Sequence, residues 1–281
     1  MIYGNTVLIT GTSSGIGKGI AEALADKGFR VYGTTRKPIQ ENITTIYNSG
    51  SGKGFIEMVQ LDVQSEESIM KAIEYVVKKE GKIDVLINNA GFGIAGAVED
   101  TTAEEAYQQF NTNFFGALRM CRNVIPIMRK NSGKNKPSLI INISSVAGLI
   151  SIPFQSIYSA SKYALEAMSE ALRIELKPFN INVVLVEPGD TNTEFNANRK
   201  IVVGANENSI YKERFVKSLD TMIKDETTGH TPKVAASVIL KILNKKNPPI
   251  RITVGRKYKT IIFLKRLVPA RFLEYIVSRL Y

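Results

Sequence analysis

The sequence predicts an α/β fold in which a doubly wound parallel sheet forms a single domain. Three observations lead to this prediction. Short β-rich runs alternate with helical patterns along the chain, which implies right-handed strand–helix–strand crossovers. Several of these runs are apolar throughout, as is typical of parallel strands that helices cover on both faces. No linker or shift in composition divides the 281 residues, so we expect residues 1–281 to fold as one unit.

The strand candidates are short and rich in β-branched residues. They are residues 6–10, 30–34, 55–61, 83–88, 138–143, 182–186 and 250–254. Helical faces lie between them, such as the one formed by Ile16, Ile20 and Leu24.

Two stretches interrupt this alternation. Residues 48–54 are rich in glycine and serine, which predicts a flexible loop. Residues 190–229 have irregular periodicity and are long for a connection, as lids and binding loops often are. We therefore expect this second stretch to be a substrate lid. Thr231 and Pro232 then provide a good start for a helix.

The last stretch, residues 256–281, is a basic amphipathic tail with seven basic residues and one acidic residue. Pro269 divides it into two short helices. One helical face carries the apolar residues Phe272, Leu273, Ile276, Val277 and Leu280. Such a tail can lie on an anionic membrane, cover a pocket, form a subunit interface or pack on the domain's own core. The sequence leaves these alternatives open.

Charge and composition limit the classes of function. The net charge of +11 is compatible with an anionic ligand, a membrane surface or nucleic acid, or with a plain basic surface. Cys121 is the only cysteine and His230 the only histidine, which argues against a cysteine metal cluster, a multi-histidine metal site and a Ser-His-Asp triad. We therefore predict no metal site. A signal-peptide pattern and a long apolar run are also missing, and we expect a reducing, cytoplasmic location.

A glycine-rich turn joins the first strand candidate to the first helical pattern. Its glycines permit a tight turn and a close approach to a pyrophosphate, which the helix N-terminus then attracts. The spacing is Gly-xxx-Gly-x-Gly rather than the GxGxxG fingerprint, but the mechanics are the same. The predicted cofactor contacts in this turn are Gly11, Ser13, Ser14, Gly15, Ile16 and Gly17.

The end of the second strand candidate indicates which nicotinamide cofactor binds. An acidic residue about 20 residues beyond the glycines would bind the ribose 2′-hydroxyl of NAD. This sequence instead has Arg36 and Lys37, and a guanidinium can hold a 2′-phosphate with two hydrogen bonds. We therefore predict NADP(H), the alternative being a solvated basic turn.

Tyr158 and Lys162 are candidates for acid–base chemistry, since they lie one helical turn apart on the same face. A neighbouring ammonium favours the phenolate and is expected to lower the pKa of a tyrosine from about 10 toward neutrality. Tyr75 and Lys79 have the same spacing, so the pair alone is weak evidence.

The order of these motifs resembles that of the short-chain dehydrogenase/reductase family, which has a Rossmann-like fold. The glycine turn is followed by Asn88-Asn-Ala-Gly91, Asn113, Ser144-Ser145, the Tyr158-xxx-Lys162 pair and Pro188-Gly189. In that family the catalytic serine lies thirteen residues before the tyrosine, where Tyr158 has Ser145 and Tyr75 has Asp62. The resemblance thus implies that Tyr158 is the catalytic tyrosine.

The resemblance also implies a role for each matching residue. Tyr158 exchanges a proton with the substrate oxygen, which Ser145 hydrogen-bonds. Lys162 lowers the pKa of the tyrosine and holds the nicotinamide ribose. Asn113 supports a water that links Lys162 to solvent. Tyr158 and Lys162 are accordingly also cofactor contacts, together with Asp62, Val63, Asn89, Ala90, Gly91, Pro188, Gly189, Thr191 and Thr193. Asn88 and Asn89 can alternatively be turn residues that hold neighbouring strands together.

The sequence therefore predicts an NADP(H)-dependent oxidoreductase that acts on a carbonyl or secondary alcohol. Arg36 and the tail resemble those of the branch with 17β-hydroxysteroid and retinol dehydrogenases, which implies a lipophilic substrate such as a steroid, a retinoid or an acyl ketone. We expect a homodimer or homotetramer without nucleic acid. The alternative is a non-catalytic NADP-binding regulator or scaffold with the same fold.

Overall fold

The central sheet has eight strands in the part of the chain that the computed structural model describes, residues 1–39, 44–49, 52–133 and 136–281. The strands are β1 (Thr6–Ile9), β2 (Arg30–Thr35), β3 (Thr44–Ser49), β4 (Gly52–Gln60), β5 (Val85–Asn88), β7 (Ser138–Ile143), β8 (Ile181–Pro188) and β10 (Arg251–Val254), while β6 (Ile94–Ala95) pairs with β9 (Lys200–Ile201) outside the sheet. Their order is β10-β8-β7-β5-β1-β2-β4-β3, and β3 alone is antiparallel to its neighbour. The strand order reverses between β1 and β5, and ligands bind at the carboxyl ends of the strands beside such a point.

Helices cover both faces of the sheet. One face packs against α1 (Gly15–Asp26) and α7 (Pro232–Leu243), and the other against α2 (Glu66–Glu80), α4 (Gly116–Asn131) and α5 (Ser156–Glu175). Alternate residues of β1 enter the two cores: Val7 and Ile9 pack with α1 and α7, whereas Leu8 packs with α2 and α4. The strands are buried on both sides, which explains their continuous apolar runs and confirms the predicted doubly wound α/β domain.

The prediction of a flexible loop at residues 48–54 is wrong for the residues of this stretch that the structure describes. Residues 48 and 49 belong to β3 and residues 52–54 to β4, while residues 50 and 51 lie outside the described part. A Cβ at Gly54 would lie only 1.9 Å from the carbonyl oxygen of Ala25 at the end of α1. This glycine therefore permits close packing between strand and helix rather than flexibility.

The remaining helices lie near the carboxyl ends of the strands. They are α3 (Ala103–Phe110), which leads through a π-helical turn at Asn111–Phe115 into α4, and α6 (Lys212–Thr227), α8 (Arg256–Lys265) and α9 (Ala270–Leu280). The predicted helix start at Pro232 and the break at Pro269 are confirmed. No helix in the described residues is both long and apolar enough to cross a membrane.

Candidate active site

A cavity of about 1250 Å³ opens at the carboxyl ends of the central strands. This volume exceeds the roughly 300–1,000 Å³ of ordinary small-molecule sites, so the cavity can hold a dinucleotide together with a second ligand. The glycine turn, the ends of β2, β5, β7 and β8, the first turns of α5 and the two tail helices all line it.

The glycine turn is shaped for close approach of a ligand. Gly11 has a φ of +70°, a conformation that side chains rarely adopt. A Cβ at Gly17 would lie 2.2 Å from the carbonyl oxygen of Gly11 and 2.4 Å from Nδ2 of Asn89. The turn therefore stays compact at the N-terminus of α1, whose free N–H groups can bind a pyrophosphate. All six predicted residues of the turn line the cavity.

Arg36 and Lys37 lie directly after β2 at the same end of the cavity, and both are exposed. Thr35 accepts a hydrogen bond from the backbone N–H of Lys37 at 3.2 Å, which fixes this turn. The guanidinium of Arg36 and the ammonium of Lys37 thus suit a phosphorylated ribose, and the shape of the glycine turn suits a dinucleotide.

Tyr158, Lys162 and Ser145 meet in the middle of the cavity. The Nζ atom of Lys162 lies 5.8 Å from the centre of the Tyr158 ring and donates a hydrogen bond to the carbonyl oxygen of Ile143 at 2.9 Å. Ser145 follows β7, where its Oγ accepts a hydrogen bond from the N–H of Ala147 at 3.1 Å. Ser145 lies close enough to Tyr158 to favour the ionised form of the phenol, and both side chains line the cavity.

The pKa of Tyr158 is not lowered toward neutrality as predicted. Desolvation is the largest effect and raises this pKa to about 12, although Ser145 lowers it in part. The carboxylates of Glu226 and Asp190 raise it and Arg199 lowers it, each with a smaller effect. Desolvation also lowers the pKa of Lys162 to about 8, partly offset by the carboxylate of Glu166 one helical turn away. The phenol therefore stays protonated at neutral pH, which is the form that can donate a proton.

Asn113 does not line the cavity. It lies in the π-helical turn, its Nδ2 donates to the carbonyl oxygen of Phe92 at 3.0 Å and to Oγ of Ser161 at 3.2 Å, and its Oδ1 accepts from the N–H of Phe92 at 3.1 Å. π-Helical turns are frequent at functional sites. The side chain thus holds the loop after β5 against α5, and a role at a water remains a prediction.

Tyr75 and Lys79, which have the same spacing as Tyr158 and Lys162, have a structural role. The hydroxyl of Tyr75 donates a hydrogen bond to Oε1 of the buried Glu57, and Nζ of Lys79 lies 2.7 Å from the same oxygen. The pair therefore compensates the charge of a carboxylate on β4, away from the cavity.

Asp62 is the predicted cofactor contact that the structure does not place on the cavity wall. Its Oδ1 accepts a hydrogen bond from the N–H of Gln64 at 2.9 Å and thereby shapes the turn after β4. Leu61, Val63 and Gln64 line the cavity there instead.

The asparagines after β5 hold neighbouring strands together. Asn88 donates to Oδ1 of Asn142 at 2.8 Å, which links β5 to β7. Asn89 donates to the carbonyl oxygens of Thr10 and Gly11 at 2.9 and 2.8 Å, and it also lines the cavity. The cavity is also lined by the predicted cofactor contacts Ala90, Gly91, Pro188, Gly189, Thr191 and Thr193.

The outer part of the cavity is formed by the two segments whose sequence is least regular. The apolar face of α9 points inward, so that Phe272, Leu273, Ile276, Val277 and Leu280 all line the cavity. Of the alternatives for the tail, the structure thus places it over a pocket. Sequence reasoning missed Phe195, Tyr258 and Glu226, because irregular periodicity identified the segments but not which side chains face inward.

Known proteins resemble this chain over nearly its full length. The family model described as short chain dehydrogenase matches residues 5–201. A 3-ketodihydrosphingosine reductase from Bacteroides thetaiotaomicron is 44% identical over 277 residues, covering 98% of this chain and 97% of the relative. Retinol dehydrogenase 8 from Bos taurus is 33% identical, covering 94% and 86%. The solved structure of a short-chain dehydrogenase from Streptomyces avermitilis is 31% identical, with a TM-score of 0.79 and 99% coverage of both chains.

Proposed function

This chain belongs to the short-chain dehydrogenase family of oxidoreductases, and we propose that it is an NADP(H)-dependent reductase of long-chain ketones of the 3-ketodihydrosphingosine type. The observation that carries the proposal is that Tyr158, a phenol that is protonated at neutral pH, lines the same cavity as the apolar face of α9. The 44% identity with the bacterial 3-ketodihydrosphingosine reductase supports this choice among lipophilic substrates.

The proposed mechanism assigns one task to each residue. Ser145 donates a hydrogen bond to the ketone oxygen and orients the carbonyl. Tyr158 donates its proton to that oxygen as negative charge develops there. Lys162 keeps a positive charge below the ring of Tyr158, and Asn113 fixes the loop that borders the site. A bound nicotinamide cofactor supplies the hydride, while the protein aligns the reactants.

The proposal also covers the lid, the tail, the location and assembly of the protein, and the choice of cofactor. Residues 190–229 act as the substrate lid, and the tail completes the pocket. A cytoplasmic location, peripheral contact of the tail with a membrane, and assembly as a homodimer or homotetramer remain predictions from the sequence. The choice of NADP(H) over NAD(H) follows from Arg36 and Lys37 and from the lack of an acidic residue there.

A substrate assay tests the proposal directly. We expect purified protein to oxidise NADPH, followed by absorbance, when 3-ketodihydrosphingosine is added, and to show little turnover with short ketones. Tight NADPH binding without turnover of any carbonyl compound in a broad panel would instead support a cofactor-binding regulator.

Removing α9 is expected to weaken the binding of long-chain substrates selectively. The helix has no buried residue, so a chain that ends after Pro269 should keep its core. Loss of contact with two or three methylene groups costs about 2 kcal/mol, which corresponds to roughly a 20-fold rise in KM. The measurement is kcat/KM for an 18-carbon and a 5-carbon ketone. Arg271→Gln, which does not alter the cavity wall, is the control, and an equal loss with both ketones would contradict a role in chain binding.

The rate of reduction is expected to fall as the pH rises through about 8. Lys162 loses its charge there, because desolvation lowers its pKa, whereas Tyr158 stays protonated throughout the accessible range. The measurement is the pH profile of kcat/KM with NADPH. Glu166 raises the pKa of Lys162, so Glu166→Gln should move the fall to lower pH. A fall centred near 10, unchanged in the variant, would contradict this assignment.

A further inference from the structure

The lid carries a charged cluster that the reduction itself does not require. Asp190 directly follows Gly189 at the end of β8, and Glu226 lies in the last turn of α6; both line the cavity. Arg199 pairs with Glu226, and their side chains are only 2% and 14% exposed. The backbone N–H of His230 donates to the carbonyl oxygen of Asp190 at 3.0 Å, which holds the end of α6 beside the end of β8.

This cluster lies within reach of the reacting hydroxyl. The ring of Phe195 packs against that of Tyr158 with centroids 5.7 Å apart, and the guanidinium of Arg199 lies 5.6 Å from the centre of the Phe195 ring. The carboxylates of Glu226 and Asp190 both affect the ionisation of Tyr158. A group bound by these carboxylates would therefore lie in the same cavity as the hydroxyl of Tyr158.

The cluster leaves one carboxylate oxygen without a partner. The carboxylates of Asp190 and Glu226 lie near the guanidinium of Arg199, and Lys257 adds positive charge near Asp190. Asp190 also accepts a hydrogen bond from the hydroxyl of Tyr258. Oε1 of Glu226 binds Arg199, but its buried Oε2 has no hydrogen-bond partner among the described residues. Desolvation raises the pKa of Glu226 to about 7 and raises that of Asp190 as well. Such a carboxylate favours its protonated form, and a ligand that supplies positive charge would stabilise the ionised form instead.

We propose that Glu226, supported by Asp190, binds a substrate ammonium group on the carbon beside the carbonyl, so that the enzyme selects long-chain α-amino ketones. The inference rests on the proposed function and assigns to it a specificity site. Rotation about the last bond of the Glu226 side chain can present either oxygen to the cavity. The ammonium then lies at the cluster, the carbonyl at Tyr158 and Ser145, and the alkyl chain along α9.

Two ketones that differ only in the amino group provide the test. We expect the wild-type protein with NADPH to prefer 3-ketodihydrosphingosine over the same ketone without its amino group. Glu226→Gln should lower kcat/KM for the amino ketone about 30-fold, because a hydrogen bond to a charged group is lost, and should change it less than about 3-fold for the other ketone. Glu213→Gln, which replaces an exposed acid in the first turn of α6 that does not line this cavity, should alter neither value.

Each alternative outcome has a distinct meaning. Equal losses with both ketones in Glu226→Gln would show that the ion pair with Arg199 only holds the lid, and equal use of both by the wild type would overturn the ammonium site while leaving the ketone reductase intact. Turnover of neither ketone would overturn the proposed function itself. If Glu226→Gln fails to fold, the same comparison of ketones with Asp190→Asn tests the proposal. Calorimetric titration of the wild-type protein with octadecylamine and octadecanol provides a second test, and equal affinity for the two ligands would contradict the proposal.

Discussion

Tyr158→Phe is expected to lower kcat/KM for ketone reduction about 1,000-fold, because it removes the hydroxyl that donates the proton. General acid catalysis contributes roughly 100- to 10,000-fold, and the phenol, whose pKa desolvation raises, is protonated at neutral pH. The phenyl ring should preserve the packing against Phe195, so the shape of the site is retained. The measurement is steady-state reduction of 3-ketodihydrosphingosine, together with NADPH affinity from fluorescence.

The matched control is Tyr75→Phe. That tyrosine has the same spacing to a lysine, but its hydroxyl binds Glu57 on β4. We expect this control to keep the rate of reduction and to lose some thermal stability, since a buried carboxylate loses a partner. Unchanged turnover in Tyr158→Phe would refute the proposed acid, and a matching loss in Tyr75→Phe would mean that the two effects arise from stability.

The sequence was sufficient to predict the fold because the patterns that indicate strands and helices are local and repeated. The predicted strands at residues 138–143 and 30–34 match β7 and β2 closely, since buried parallel strands are continuous apolar runs. The edge strand β3 was missed because it is exposed and mixed in composition. Gly54 was misread because a glycine that permits close approach to Ala25 and a glycine in a loop look alike in sequence.

For the candidate site, too, the sequence predicted the features that depend on local spacing and not those that depend on distant residues. The glycine turn and the Tyr158–Lys162 pair follow from spacing, which fixes side chains on one turn or one helical face. The pKa of Tyr158 does not, because it depends first on burial in the folded protein and then on side chains distant in sequence, such as Glu226 and Asp190. For Asn113 and Asp62 the motif position was informative, but their side chains are committed to backbone groups of Phe92 and Gln64.

Arg36→Asp is expected to reverse the preference for NADPH over NADH. The variant loses two charge-assisted hydrogen bonds to the 2′-phosphate and adds a like charge, which together cost NADPH about 3–4 kcal/mol. The new carboxylate can accept hydrogen bonds from the ribose hydroxyls of NADH, as acidic residues at this position do. The ratio of kcat/KM for NADPH to that for NADH should therefore fall by about 300-fold or more.

Lys18→Asp is the control for this ratio. Lys18 is exposed near the start of α1 and does not line the cavity. A charge reversal there changes the electrostatic potential at the pyrophosphate, which both cofactors have in common. It should weaken both cofactors alike and leave the ratio unchanged. A ratio that does not move in Arg36→Asp would show that this arginine is a solvated surface residue, and Lys37 would then be the remaining cation at the end of β2 for the 2′-phosphate.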